Sequence, residues 1–321
     1  MKNLKIAAGF LVTLLLFYFL FKDLDVELFA TYLLEGNITL ILLGVAVYIS
    51  SFLIRGARWR ILLGHLGKFK VKELTMIEIA GYAINNVFPV RAGEFTRAWV
   101  AGKRNGVSKT SVLASIFVER VFDGLTVALI LSATLFFYPF GRDAKVLAVM
   151  ASAFFAFLFF FVIFGTFSDK PLKFTAFLKA KLPKSLSFVF DIAEKFLKGA
   201  SSLGSTSQIA KVVFLSLFIW TLELAVYILI ANAFGVKIPI AGYLFMLCAA
   251  NLGMLAAPTP GGLGVFQTAI VFALSSFAIL YEKRMAVAII LHAAQIIPIT
   301  IIGLVWLFLN QISFFSAEEE D

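Results

Sequence analysis

Pro89-Val90-Arg91-Ala92-Gly93-Glu94-Phe95-Thr96-Arg97-Ala98 and Pro260-Gly261-Gly262-Leu263-Gly264-Val265-Phe266-Gln267-Thr268-Ala269 carry proline, glycine, phenylalanine and alanine at the same spacing, 171 positions apart. The same offset lays the apolar run 38–54 on 209–232, and the run 110–138 on 285–309. Each decapeptide interrupts apolar sequence with residues that stop helices, because proline removes a backbone donor and glycine tolerates turns. A duplicated span–break–span unit is the pattern of a membrane carrier with internal repeats. The expected fold is an all-α polytopic membrane protein. It has about six transmembrane helices plus two re-entrant helical hairpins in an inverted-topology repeat.

Composition agrees. Of 321 residues, 61% are hydrophobic, and the mean hydropathy is +0.97. Several stretches reach the length that crosses a bilayer, and none shows the short alternating segments of a β-barrel. One cysteine, Cys248, excludes an internal disulfide framework. A net charge of +9 is read as loop charge facing anionic lipid, so nucleic acid is not an expected partner. The start, Met1-Lys2-Asn3-Leu4-Lys5 before apolar residues 6–21, reads as an uncleaved first span, since Phe21-Lys22-Asp23 offers no small-residue cleavage site. One transmembrane domain is expected over 1–315. Repeat one covers about 37–138 and repeat two about 208–309, with a cytoplasmic interfacial helix at about 169–205 between them. An acidic tail, 316–321, follows.

Basic residues gather at 55–72, 91–109 and 170–211, whereas 22–36 carries Asp23, Asp25, Glu27 and Glu35. Under the positive-inside rule the basic regions and both termini are cytoplasmic, in the cytoplasmic (inner) membrane. The apolar stretch 76–90 then lies between two cytoplasmic regions and is too short to cross. A re-entrant helix that breaks at Asn85-Asn86-Val87-Phe88-Pro89 satisfies both facts. Three crossings, 38–54, 110–138 and 145–167, separate the start of one repeat from the start of the next, so the second hairpin, 241–257 and 263–280, enters from outside.

Ionisable residues at membrane depth are costly unless paired or wet, which selects the candidates. Glu119, Arg120 and Asp123 share one helix face. They serve either as a structural cluster or as a polar lining for a headgroup or ion path. Arg91, Glu94 and Arg97 follow the first break and Asn86 precedes it. Two guanidiniums near a helix N-terminus make a phosphate cradle, or they pair with Glu94 at the interface. His292 and Gln295, one turn apart in the last span, and Glu223 are candidates for proton coupling or interhelical hydrogen bonds. Pro89, Gly93, Pro258, Pro260, Gly261, Gly262 and Gly264 are assigned to the structural breaks. Glu78, three residues after Thr75, is read as a capping-box partner. Lys109-Thr110 lacks the glycines of a phosphate loop. No H-E-x-x-H, G-x-S-x-G or acidic prenyltransferase motif is present. No catalytic residue, metal or cofactor is therefore expected.

The stretch Pro89–Arg97, the group Glu119-Arg120-x-x-Asp123 and the stretch Pro260–Phe266 together resemble the lysylphosphatidylglycerol synthase transmembrane-region family, the flippase-like integral membrane proteins. The likeness covers roughly 5–310. Family members usually carry Glu after the Gly-Gly-Leu-Gly-Val-Phe stretch, and Gln267 stands there here. The resemblance implies translocation of a lipid. In aminoacyl-lipid synthases such a domain is fused to a soluble transfer domain, and the sequence ends at Asp321 without one, so synthase activity is not expected. Similar stand-alone proteins are associated with phospholipid, hopanoid or polyprenyl-phosphate-sugar traffic.

The resulting expectation is a non-enzymatic lipid transporter or flippase. It moves a phospholipid or polyprenyl-phosphate-linked headgroup between the hairpins, ion-coupled or downhill. The expected partners are membrane lipids with an anionic or phosphate-bearing headgroup, with a synthase partner or homo-oligomer left open. The alternatives are a membrane-embedded transferase and a non-transporting anchor subunit.

Overall fold

The computed structural model describes residues 2–88, 92–137, 205–256 and 259–312, with isolated helical positions between 149 and 179. Regular structure among the described residues is helical throughout. Before residue 138 come α1 (Lys2–Phe21), α2 (Val26–Glu35), α3 (Ile38–Leu62), α4 (Val71–Val87), α5 (Gly93–Asn105) and α6 (Lys109–Phe137). After residue 205 come α7 (Thr206–Ala233), α8 (Ile240–Ala256), α9 (Val265–Leu274) and α10 (Tyr281–Leu309), with a 3-10 turn, Pro260–Gly262, between α8 and α9.

Side chains set the helix starts. Asn37 caps α3 by accepting from Leu40 N–H at 3.2 Å, and Asp25 caps α2 through Leu28 N–H at 3.0 Å. Ser205 does the same for α7. The acidic stretch 22–36, read only as an outer segment, thus contains a helix of its own.

Helices α3, α7 and α10 are each long and apolar enough to cross a membrane. The 25 residues of α3 extend roughly 37 Å, more than the hydrocarbon thickness of about 30 Å. Helices α4 and α8, with 17 residues each, reach only about 25 Å. Leu42, Phe214, Phe218, Phe308 and Leu309 point outward and stay exposed, as expected of a surface solvated by lipid. Pro89, Val90, Arg91, Pro258 and the acidic tail lie outside the described residues, as does most of the expected interfacial helix at 169–205 and of the expected span at 145–167.

Shifted by 171, α3 to α6 fall on α7 to α10, one for one. The packing follows the same exchange. Helices α3 and α7 lie along each other, α4 lies against α10 and α8 against α6, and the arms of each hairpin pack together. One buried cluster fills the space around α7 to α10, including Tyr227, Met246, Phe266, Met285 and Leu291. A second, with Trp59, Leu74, Ile77, Val112 and Phe122, fills the space among α3 to α6.

Three readings are corrected. The run 38–54 continues as helix to Leu62, so Arg55 and Arg58 are interior residues at 4% and 0% exposure rather than loop charges. The cause is periodic: Tyr48, Phe52, Arg55, Trp59 and Leu62 occupy one buried face. Glu78 caps nothing, because α4 starts at Val71 and Thr75 already donates to Val71 O within the helix. Finally, α9 ends at Leu274, short of residue 280, where Ser275–Leu280 turn into α10.

Candidate functional site

The site is built where the two helix breaks meet. At the first, α4 ends at Val87 and α5 begins at Gly93. Asn85 reaches across: its Oδ1 accepts from Gly93 N–H at 2.8 Å and its amide donates to Glu94 Oε2 at 3.2 Å. Helix α5 is thus capped by the arm before it. Gly93 sits on Gly81, where any Cβ would collide with the Gly81 carbonyl. Asn86 donates to Thr300 Oγ1 of α10 at 2.9 Å.

At the second break Gly261, Gly262 and Gly264 have φ of 56°, 75° and 82°, a left-handed turn that side chains resist. The turn is tied by side chains. Gln267 Oε1 accepts from Gly264 N–H at 2.9 Å, and Gln267 Nε2 lies 2.8 Å from His292 Nδ1. His292 Nε2 lies 3.0 Å from Gly261 O, and its ring stacks on Phe266. The two breaks touch, since a Cβ built on Gly261 would lie 3.0 Å from Asn86 O.

Beside the first break lies a layer of buried ions drawn from five helices. Arg58 of α3 grips Asp123 of α6 with both terminal nitrogens, at 2.6 and 3.2 Å, and also donates to Ser216 Oγ of α7 at 2.9 Å. Arg97 of α5 holds Glu119 of α6 with two bonds, at 3.0 and 3.1 Å, lies over the Trp59 ring and approaches Glu78 of α4 at 3.6 Å. Arg55 donates to Glu223 of α7 at 2.6 Å, and the other Glu223 oxygen accepts from Gln295 at 3.1 Å. Such pairs are costly to desolvate but costlier to break, because the survivor stays charged and buried.

Arg120 differs from the other three. Its contacts to Glu119, Asp123 and Tyr82 Oη measure 3.3, 3.5 and 3.4 Å, longer than a tight charge-assisted bond. Its side chain is 34% exposed, against 4%, 0% and 1% for Arg55, Arg58 and Arg97. The space it faces is a cavity of about 310 Å³, near the small end of ligand pockets. Both breaks contribute walls. Asn85, Asn86 and Glu94 come from the first, and Thr259, Gly261, Gly262 and Phe266 from the second. Tyr48, Tyr82, Trp220 and Tyr227 add aromatic surface, and Arg55, Asp123, Glu223, His292 and Gln295 add polar surface.

The residues singled out in the sequence therefore divide. Asn86, Glu94, Arg120, Asp123, Glu223, His292 and Gln295 line the cavity, while Arg97 and Glu119 stand behind its wall as a closed pair. Arg91 lies outside the described residues. Sequence reasoning missed Arg55, Arg58, Tyr82 and the brace formed by Gln267. Continuing the helical periodicity of α3 past residue 54 would have found the two arginines.

The lysylphosphatidylglycerol synthase TM region family matches residues 6–303. The chain belongs to this family. Glycosyltransferase AglD of Haloferax volcanii is 26% identical over 353 aligned residues, which cover 99% of this chain and 56% of that protein. A UPF0104 membrane protein of Methanothermobacter thermautotrophicus is 24% identical over 240 residues, 71% of this chain and 70% of that one. The chain thus spans little more than half the length of the glycosyltransferase. Membership in the synthase TM region family and the long apolar helices together make this chain a membrane protein.

Proposed function

We propose that the chain is a lipid carrier whose substrate headgroup occupies the cavity between the two helix breaks. The observation that carries this reading is the exposure of Arg120. Of the four described arginines in the ion layer, Arg120 is the most open, and it opens into a cavity walled by both breaks. A phosphate meets Arg120 there, and Glu94 and Asp123 set the guanidinium's position or receive a cationic part of the headgroup. Arg97 and Arg58, closed on Glu119 and Asp123, hold the wall rather than the ligand. The short arms α4–α5 and α8–α9 act as re-entrant hairpins from opposite faces, in the inverted repeat read from the sequence. Both termini then face the cytoplasm in an inner membrane, and acyl chains stay in lipid while the headgroup passes.

Transbilayer movement of acyl-labelled phospholipid in reconstituted vesicles tests the reading. The protein should expose inner-leaflet label to an outside quencher. Arg120→Ala should slow this by about tenfold or more, the loss expected for one charged hydrogen bond. Label that stays as protected as in protein-free vesicles would refute the carrier.

A second reading, a membrane-embedded transferase acting on lipid-linked sugar, is favoured by the similarity to the Haloferax glycosyltransferase. Product formation from lipid-linked sugar by the purified chain would support it, and turnover lost in Arg120→Ala would place it in the same cavity.

A further inference from the structure

The turn between α8 and α9 contains a hydrogen-bonded circuit that headgroup binding leaves unused. It runs from Gly261 O through His292 and Gln267 to Gly264 N–H, over distances of 3.0, 2.8 and 2.9 Å. Both ends are backbone groups with fixed polarity. A carbonyl only accepts, so His292 Nε2 carries the hydrogen. A peptide N–H only donates, so Gln267 turns its oxygen to Gly264 and its amide hydrogens to the ring. Nδ1 is left bare and accepting. The circuit closes for one tautomer of the neutral imidazole and for no other state.

A proton added at Nδ1 sets two N–H groups against each other. Turning the Gln267 amide over removes that conflict and creates the same one at Gly264. No orientation of the two side chains satisfies an imidazolium while the turn keeps its shape. The ring is 4% exposed and stacked on Phe266, with centroids 4.3 Å apart and planes 5° from parallel, which holds its plane in register with the turn. The other ionisable groups lining the same cavity are Tyr48 and Arg55 of α3, Tyr82 of α4, Glu94 of α5, Arg120 and Asp123 of α6, and Glu223 and Tyr227 of α7. Glu78 is on α4, which packs against α10, and Cys248 is on α8, which packs against α9. Glu223 is already tied to Arg55 and Gln295. Against the turn, α9, α4 and α1 present Phe266, Gln267, Asn86 and Leu16, all uncharged.

We propose that His292 is a proton-binding site of this protein, and that its protonation releases the Gly261–Gly264 turn and so couples carrier movement to protons. The coupling rests on the carrier reading above; the proton site does not. His292 lines the same cavity as Arg120, so proton and headgroup share one space.

The chain has two histidines, so His65→Gln leaves His292 as the single imidazole. Nitrogen NMR of that variant in nanodiscs should show the Nε2–H tautomer, with loss of the Gly264 amide's protection as the ring titrates. In vesicles it should move acyl-labelled phospholipid at a rate that changes about tenfold across the same titration. The further variant His292→Gln still donates to Gly261 and accepts from Gln267, and it should move lipid at a rate independent of pH. Gln267→Glu accepts from both neighbours and should raise the midpoint by about one pH unit or more. An Nδ1–H tautomer, or a pH dependence unchanged in His292→Gln, overturns the proposal. Expected spectra without lipid movement at any pH would uphold the proton site and sink the carrier instead.

Discussion

The two hairpins share one backbone plan and are held by different chemistry. Around the first, positions 55, 78, 97, 119, 120 and 123 are Arg, Glu, Arg, Glu, Arg and Asp; their counterparts at 226, 249, 268, 290, 291 and 294 are Val, Ala, Thr, Ile, Leu and Ala. The first break is fastened by ion pairs from neighbouring helices, the second by left-handed glycines and a histidine–glutamine brace. Duplication therefore fixes where the helices stop without fixing what holds the stops. One copy carries most of the buried charge, with Glu223 the exception, and the other keeps shape.

Paired substitutions at equivalent positions test this division. The largest effect is expected at Arg97. Arg97→Ala takes the cation from beside buried Glu78 and leaves Glu119 only its longer contacts to Arg120 and Arg58, and should cost about 3–5 kcal/mol in unfolding of the detergent-solubilised protein. Its counterpart Thr268 makes one bond to Gly264 O, so Thr268→Ala should cost about 1 kcal/mol. Equal costs would erase the distinction. Next come the equivalent glycines. Gly93→Ala meets backbone at Gly81 and should lose roughly 3 kcal/mol. Gly264→Ala meets the Leu16 Cβ, which the α1 backbone holds in place, and must also hold φ near 82°, for about 2–3 kcal/mol. Both should be read from the same unfolding curves.

A smaller and symmetric effect is expected where the two hairpins do agree. Asn85 and Gln267 each cap the second arm of their hairpin, so Asn85→Ala and Gln267→Ala should each cost about 1 kcal/mol. The smallest stability change belongs to Arg120→Ala. One third of that side chain is open, which limits its contribution to about 1 kcal/mol or less. It is also the variant whose lipid movement should fall most, a split that no purely structural arginine would show.

The helices and their breaks were legible because hydropathy and Gly/Pro density are local signals. Pro260-Gly261-Gly262-Leu263-Gly264 inside an apolar run leaves little else for the chain to do. Much of the polar site was legible as well, since Arg120 and Asp123 stand out in an apolar helix. The arginines of α3 were not, because their partners Asp123 and Glu223 lie 65 and 168 residues away, and a basic residue at a span's end looks like a loop charge. Glu78 was misread for a related reason. Thr75 and Glu78 fit a local capping pattern, and only the approach of Arg97 from α5 shows that the carboxylate faces inward. Long-range pairing leaves no periodicity in the chain.

The contact between Gly261 and the Asn86 carbonyl has a mechanical consequence. With no gap for even a methyl group between the two turns, neither can advance without pushing the other back. On the carrier reading proposed above, the two turns would work as one shared bolt, each sliding only as far as the other yields.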